Sequence, residues 1–310
     1  MKRASKLLEE LGFPGRDAYD LPSSPLTFPD GAHYRIEISG VERPEVLDAV
    51  VDEAIKRNIP VHRLISTVMG ATLLSKDELK TFARIAHDAK VEVIITPGPR
   101  ASWDIGRQVA TPEGALCGMR FRGADALAQY IEDILRAIDI GFRGFLVWDE
   151  GALMVLNEMR EQGKIPKNTV FKVSIFAGHA NPAGAKLLEQ LGANTFNPIA
   201  DITLPMFAAI RKTIKIPIDV HVYLFDTWGG FNRFRETPEL ARVASPVYFK
   251  IEPGPSVGNL YKPWIDKNFL ANFGREKVKY ATIIREIIEE NEPDLKLSEQ
   301  GPEDLAIPEV

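Results

Sequence analysis

Cysteine is nearly missing: Cys117 is the single one among 310 residues. A lone cysteine excludes an internal disulfide, a four-cysteine zinc site and a cysteine-ligated iron–sulfur cluster within one chain, so no iron–sulfur cofactor is expected. Long apolar runs are missing too, and none reaches the roughly 18 residues of a membrane-spanning helix. The opening MKRASKLLEELGFPG reads as a short amphipathic helix interrupted by charges rather than a secretion signal, which makes a cytoplasmic protein without a membrane partner the expectation. A surplus of positive charge is also absent, with 38 basic against 43 acidic residues and a net charge of −5. Six of the acids (Glu292, Asp294, Glu299, Glu303, Asp304 and Glu309) fall in 292–310 beside one base, Lys296, leaving a body with 37 charges of each sign. Such a balance argues against general nucleic-acid binding, which needs clustered positive charge.

What is present is a chain with 45% hydrophobic and 26% charged residues, enough to bury a sizeable core. Short apolar or alternating runs read as strands at 33–39, 60–66, 91–97, 142–149, 169–176, 194–199, 217–224 and 246–252. Their starts are 23 to 31 residues apart, except for one step of 51. Helical periodicity fills the gaps at 44–57, 76–89 and 124–140, and Asn181–Pro182 reads as the N-cap and first residue of a helix ending at Gly192. Eight strands alternating with helices predict an α/β fold, a (β/α)8 TIM barrel in a single domain, and the absence of G-x-G-x-x-G after the first strand weighs against a dinucleotide-binding sheet. The division is an N-terminal arm with a short helix (1–32), the barrel (33–291) and an acidic C-terminal tail (292–310). The long step holds an inserted hairpin after strand 3, residues 98–123, at the end of the barrel where active sites are built; it is either a lid or a surface or subunit-contact hairpin.

Barrel strands are buried on both faces, so polar residues inside them need a reason. Asp219, His221 and Tyr223 alternate with Val220, Val222 and Leu224, and Tyr248, Lys250 and Glu252 alternate with Val247, Phe249 and Ile251. Arg35, Glu37 and Ser39 share a face of strand 1, Lys172 and Ser174 one of strand 5, Asn197 closes strand 6, and Asp149 and Glu150 close strand 4. The inward face is therefore the polar one. Two chemistries fit. Lys172 beside Lys250 matches a nucleophilic lysine with a cationic neighbour, as in an aldolase. Glu37, Asp219, His221 and Glu252 match carboxylate and imidazole ligands for a divalent metal. The alternative is that Glu37, Lys172, Asp219 and Lys250 form a paired ionic network with no role in chemistry, and for Arg35 and His62, near the strand starts, a stabilising role is expected. His179, in the loop FAGHANP, suits proton transfer, while Asn181 either orients substrate or only caps the helix. The loop after strand 7, with Gly229 and Gly230, and the loop 253–261 after strand 8 match a phosphate cradle; Arg100, Arg107, Arg120, Arg122, Arg233 and Arg235 supply cations, so the expected substrate is anionic. Arg100, just beyond strand 3, is the substrate-binding candidate among them.

The segments YRIEISGVERPEV, GPRASWD, RGFLVWDEGAL, KVSIFAGHANPAGAKLLEQLGANTFN and WGGFNRFRETPEL resemble the U32 family peptidases over about residues 30–255. The resemblance implies an α/β barrel and a hydrolase. The cysteine-rich signature of better-known members has no counterpart here, since Cys117 stands alone, and neither a G-x-S-x-G elbow nor an H-E-x-x-H helix is present. The leading expectation is thus a barrel hydrolase acting on an anionic small molecule or peptide. A lyase or aldolase using Lys172 on a carboxylated or phosphorylated compound is the first alternative, and a non-catalytic ligand- or partner-binding barrel the second; a homo-oligomer is compatible with all three.

Overall fold

A computed structural model describes residues 2–66, 70–98, 119–256, 259 and 262–310. The strands β1 (Tyr34–Ser39), β2 (Arg63–Ser66), β3 (Glu92–Ile95), β4 (Gly144–Val147), β5 (Val170–Val173), β6 (Thr195–Phe196), β7 (Ile218–Tyr223) and β8 (Val247–Ile251) close into one parallel barrel in sequence order. Around it lie α2 (Pro44–Arg57), α3 (Lys76–Asp88), α4 (Gly123–Ile140), α5 (Glu150–Glu161), α6 (Pro182–Gln190), α7 (Leu204–Arg211), α8 (Thr237–Ala244) and α9 (Lys267–Asn291), with α1 (Lys2–Glu10) preceding the barrel. This is the (β/α)8 TIM barrel that the strand spacing predicts. The helices follow their local signals: Ser75 and Glu78 form a capping box at α3, Asp149 caps α5, and Pro182 and Pro205 sit in first turns where a missing N–H costs nothing. Strand β6 is shorter than the expected 194–199, because Pro198 lacks the N–H that would continue the ladder.

The outer faces of the strands supply the main core, including Ile36, Ile38, Leu64, Val93, Phe145, Phe171, Val220 and Phe249. Inside the barrel the contents are divided. Ile65, Ile94 and Leu146, with Val170 against them, form an apolar patch on the side of β2 to β4, while charged and polar chains from β1, β5, β7 and β8, joined by Arg63 of β2 and Glu92 of β3, fill the rest. Helix α9 closes the β8–β1 side against α2, and only a glycine at 274 leaves room there, since a Cβ would stand 2.9 Å from a Val50 methyl.

The acidic residues 292–310 run along the N-terminal end of the barrel as a strap. Asp304 accepts two bonds from Arg35 (2.8 and 2.7 Å), the Ser298 hydroxyl accepts a third (2.9 Å), Gln300 bonds both the N–H and the carbonyl of Val61, and Glu92 accepts from the Ala306 amide (2.8 Å). Glu309 pairs with Arg143, and its carbonyl passes so near Gly141 (φ 119°) that a Cβ there would lie 1.8 Å from it. Arg35 and His62 thus serve the strap: the Ile36 amide donates to His62 Nδ1 (3.0 Å), and Nε2–H reaches the Ser298 carbonyl (3.0 Å).

Burial is the largest influence on His62 and, with Arg35 nearby, holds its pKa down to about 4. A histidine buried neutral stabilises the fold fully above its unfolded pKa of about 6.5, and that stability is lost as pH falls through the folded value near 4, about 3 kcal/mol in all. We expect urea midpoints to fall across that window and His62→Gln to flatten the profile. An unchanged profile in the variant would remove His62 as the titrating group.

Candidate active site

The alternation on the strands stacks the inward side chains in levels, since every second residue enters the barrel. The lower level holds Arg35, Glu92 and Tyr248. At mid-height, Arg63 Nε bonds Glu37 Oε2, Arg63 Nη2 bonds Asp219 Oδ1, and Lys172 Nζ lies 2.5 Å from Asp219 Oδ2 and 3.2 Å from Glu37 Oε2. Thr195 donates to Asp219 (2.9 Å) and accepts from Arg63 (3.2 Å), while the Arg63 guanidinium lies 3.5 Å from the Tyr248 ring centroid. All four ionic side chains have no exposed surface. Two cations meet two anions. Burial raises the Asp219 pKa, but Arg63 and Lys172 outweigh it and keep the group ionised, whereas desolvation brings Lys172 down to about 8 against the pull of Asp219 and Glu37.

The upper level, at the C-terminal ends of β6 to β8, has a different composition. His221 Nε2 is 2.7 Å from Glu252 Oε2, Lys250 Nζ is 3.3 Å from that same oxygen, and the Asn197 amide nitrogen is 3.3 Å from His221 Nδ1. Asn197 Nδ2 also donates to the Asp219 and Pro198 carbonyls (3.1 Å each), so its nitrogen is the atom turned to the ring. His221 Nδ1 then carries a lone pair and Nε2 the proton. Burial, followed by Lys250, lowers the His221 pKa, so the ring is neutral at pH 7. Burial works to raise Glu252, but Lys250 and the His221 bond prevail and hold it at about 2. Helix α9 sends in Lys277, which donates to the Ser39 carbonyl (2.5 Å) and is brought down to about 8 by burial despite the attraction of Glu252 and Glu42. Ser39 Oγ and Asn197 Oδ1 are buried without a hydrogen-bond partner among the described residues.

A third group lies at the ends of β4 and β5. His179 Nε2 is 2.6 Å from Glu150 Oε1, which Arg120 also bonds (2.8 Å), and Arg120 reaches the Trp148 and Ala177 carbonyls as well. The Glu150 pKa is lowered, burial opposing and the His179 bond and Arg120 prevailing.

Several expectations are met differently. The metal set divides: Glu37 and Asp219 are bound by Arg63 and Lys172, whereas His221 and Glu252 sit above them. Among the described residues no three His, Cys, Asp or Glu side chains are grouped to hold a metal ion. The phosphate cradle after β7 is used up by its own turn, because the Gly229 amide donates to the Asp226 carbonyl (3.1 Å) and that of Gly230 to Phe225 (2.8 Å). Arg233 is spent on the Ala200 and Ile202 carbonyls and on Glu236. Asn181 Oδ1 caps α6 through the Gly184 amide (2.9 Å), the helix-cap alternative for that residue. Arg100, Arg107 and most of the 98–123 hairpin lie outside the described residues, as does part of the loop after β8.

Three participants escaped sequence reading. Arg63 belongs to a four-residue strand where polar and apolar residues mix on both faces, so alternation gives no direction, and Glu92 is a single charge sharing its face of a four-residue strand with Ile94. Lys277 had a legible signal: it occupies a position of the buried stripe Leu270, Gly274, Val278, Ala281 and Ile284 of α9, where a charge needs a partner.

No family profile and no curated protein sequence matches this chain. Solved structures share its barrel shape. The U32 peptidase Mk0906 is 17% identical, with 75% of this chain covering 98% of that one at a TM-score of 0.45. A D-psicose 3-epimerase with D-tagatose from Clostridium cellulolyticum H10 is 14% identical (82% and 99% covered, TM-score 0.46), and the dimeric archaeal Rubisco from Hyperthermus butylicus 12% (80% and 60%, TM-score 0.43). Such likenesses are of fold alone.

Proposed function

We propose that this barrel is an enzyme that removes a proton from a small anionic substrate at its C-terminal mouth, a lyase-type reaction. The observation that carries the reading is the upper level: a neutral His221 backed through Nε2–H by an ionised Glu252, its Nδ1 lone pair facing only the Asn197 amide nitrogen at 3.3 Å, longer than that nitrogen's two carbonyl bonds, with the Lys250 cation beside them. A carboxylate behind an imidazole fixes its tautomer and stabilises the imidazolium formed when Nδ1 takes the proton from the carbon next to a substrate carboxylate; the C–H electron pair passes into that carboxylate as an enolate and then expels the group on the neighbouring carbon. Lys250 balances negative charge on a substrate carboxylate or phosphate, and Ser39 Oγ and Asn197 Oδ1 offer further hydrogen bonds. The hydrolase reading implied by the family resemblance lacks support on one point: among the described residues no serine or threonine hydroxyl is bonded to a histidine ring.

The test combines mass spectrometry of acids that copurify with the chain and incubation of those acids with it in heavy water. Deuterium entering a carbon next to the carboxylate or phosphate-bearing group supports the reading; hydrolysis without exchange overturns it. A second reading, a Schiff base at Lys172, is favoured by the amine's pKa near 8 and opposed by its enclosure between two carboxylates. Borohydride trapping with the same acids separates the two.

A further inference from the structure

Helix α1 lies outside the barrel with its apolar side uncovered. Leu7, Leu8 and Leu11 are 50%, 40% and 73% exposed, and Ala4 is exposed beside them. Their spacing, i, i+3, i+4 and i+7, makes one continuous stripe on one face, and the helical turn runs on into Leu11, whose amide donates to the Leu7 carbonyl (3.1 Å). Nothing local accounts for this helix. Its nine residues fall short of the roughly 12 to 15 at which isolated helices become marginal. Its charges also oppose the macrodipole, with Arg3 in the first turn and Glu9 and Glu10 in the last. The ion pair within it, Lys6 to Glu10, is long (3.9 Å) and solvated. Packing against something else has to provide the stability.

We propose that α1 is a dimerisation helix, and that its partner is α1 of a second copy of this chain laid antiparallel across the leucine stripe. The charge pattern selects this partner and orientation. Arg3 and Glu10 are seven residues apart, two helical turns, so they flank the stripe on the same side. In an antiparallel pair related by a two-fold axis, like flanks meet head to tail, which sets Arg3 of each helix against Glu10 of the other, twice. A parallel pair would set this flank against the opposite flank of the partner, where Arg3 and Glu10 do not meet and neither charge is paired. The helix carries three bases and two acids, with Glu9 and Glu10 at the end of the leucine stripe, so its charge adds little attraction to an anionic membrane surface. Two helices of this length bury less than the roughly 1,200 Å² of a stable interface, so the dimer forms and dissociates in the micromolar range.

Sedimentation velocity of the full chain across micromolar concentrations tests this, with a flotation assay on phosphatidylcholine vesicles with and without phosphatidylserine. The expected result is a concentration-dependent dimer that Leu7→Asp abolishes. Arg3→Glu and Glu10→Arg should each weaken it by about tenfold, as two lost pairs replaced by repulsions would do. Mixing those two variants should restore association, because one variant then carries acids and the other bases at both positions, and each of the two contacts again joins opposite charges. A monomer at every concentration overturns the proposal, and a monomer that floats with vesicles assigns the helix to a membrane instead. A dimer indifferent to Leu7→Asp places the contact elsewhere, and a mixture no tighter than either variant alone refutes the antiparallel pairing. The side chains of Arg3, Leu7 and Glu10 are solvent-exposed, so the substitutions leave the barrel intact.

Discussion

Replacing Arg63 by methionine is expected to destabilise the protein by about 3 to 5 kcal/mol, the usual cost of leaving a buried ion unpaired. Methionine keeps much of the stem's packing but withdraws one of the two cations that pair with both Glu37 and Asp219. Lys172 then faces two carboxylates alone, with Glu92 close by and its own pKa already raised by burial. The Tm should drop by on the order of 10 °C. The second half of the prediction concerns Arg63→Met combined with Asp219→Asn. Removing one charge of each sign leaves Lys172 paired with Glu37, and asparagine retains an oxygen for Thr195, so the double variant should be more stable than Arg63→Met alone. Coupling of about 1 to 3 kcal/mol in a denaturation cycle is the signature of one shared network. Additive losses would mean that the four groups act separately.

The same network shows where sequence reading succeeds. On β1, β7 and β8 five or six residues alternate strictly, and that alternation locates Glu37, Asp219, His221, Lys250 and Glu252 inside the barrel. Four-residue strands such as β2 and β3 hold two inward positions each, too few to establish a period, and Arg63 and Glu92 are hidden there. Types of residue were legible but their partners were not: Lys172 and Lys250 look alike in sequence, yet one is locked between two carboxylates and the other shares Glu252 with an imidazole. Composition picked out 292–310 as acidic without revealing its docking, because the bases it meets, Arg35 and Arg143, stand at strand starts more than a hundred residues away in the chain. The glycines after β7 show the limit of reading loops by composition, since the amides that were to hold phosphate close their own turn.

His221 carries the largest expected effect on activity. His221→Asn should lower turnover by about 10² to 10⁴-fold, the range for loss of a positioned general base, while leaving the barrel folded, because asparagine retains a polar group near Asn197. The pH profile separates chemistry from support. As the proposed base, His221 acts only when neutral, and burial with Lys250 beside it holds its pKa below the ordinary histidine value. The rate should therefore rise with pH along an acid limb lying below about 6.5 and stay flat through neutrality. Glu252→Gln keeps the shape but deletes the charge that favours the imidazolium, so it should shift that limb to still lower pH and reduce the plateau rate together. A group that merely packs the mouth would change stability or KM and leave the limb in place. If Glu252→Gln lowers the rate without moving the limb, or if His221→Asn retains full turnover in its folded fraction, proton transfer belongs elsewhere, and the His179–Glu150 pair at the ends of β4 and β5 is the next site to vary.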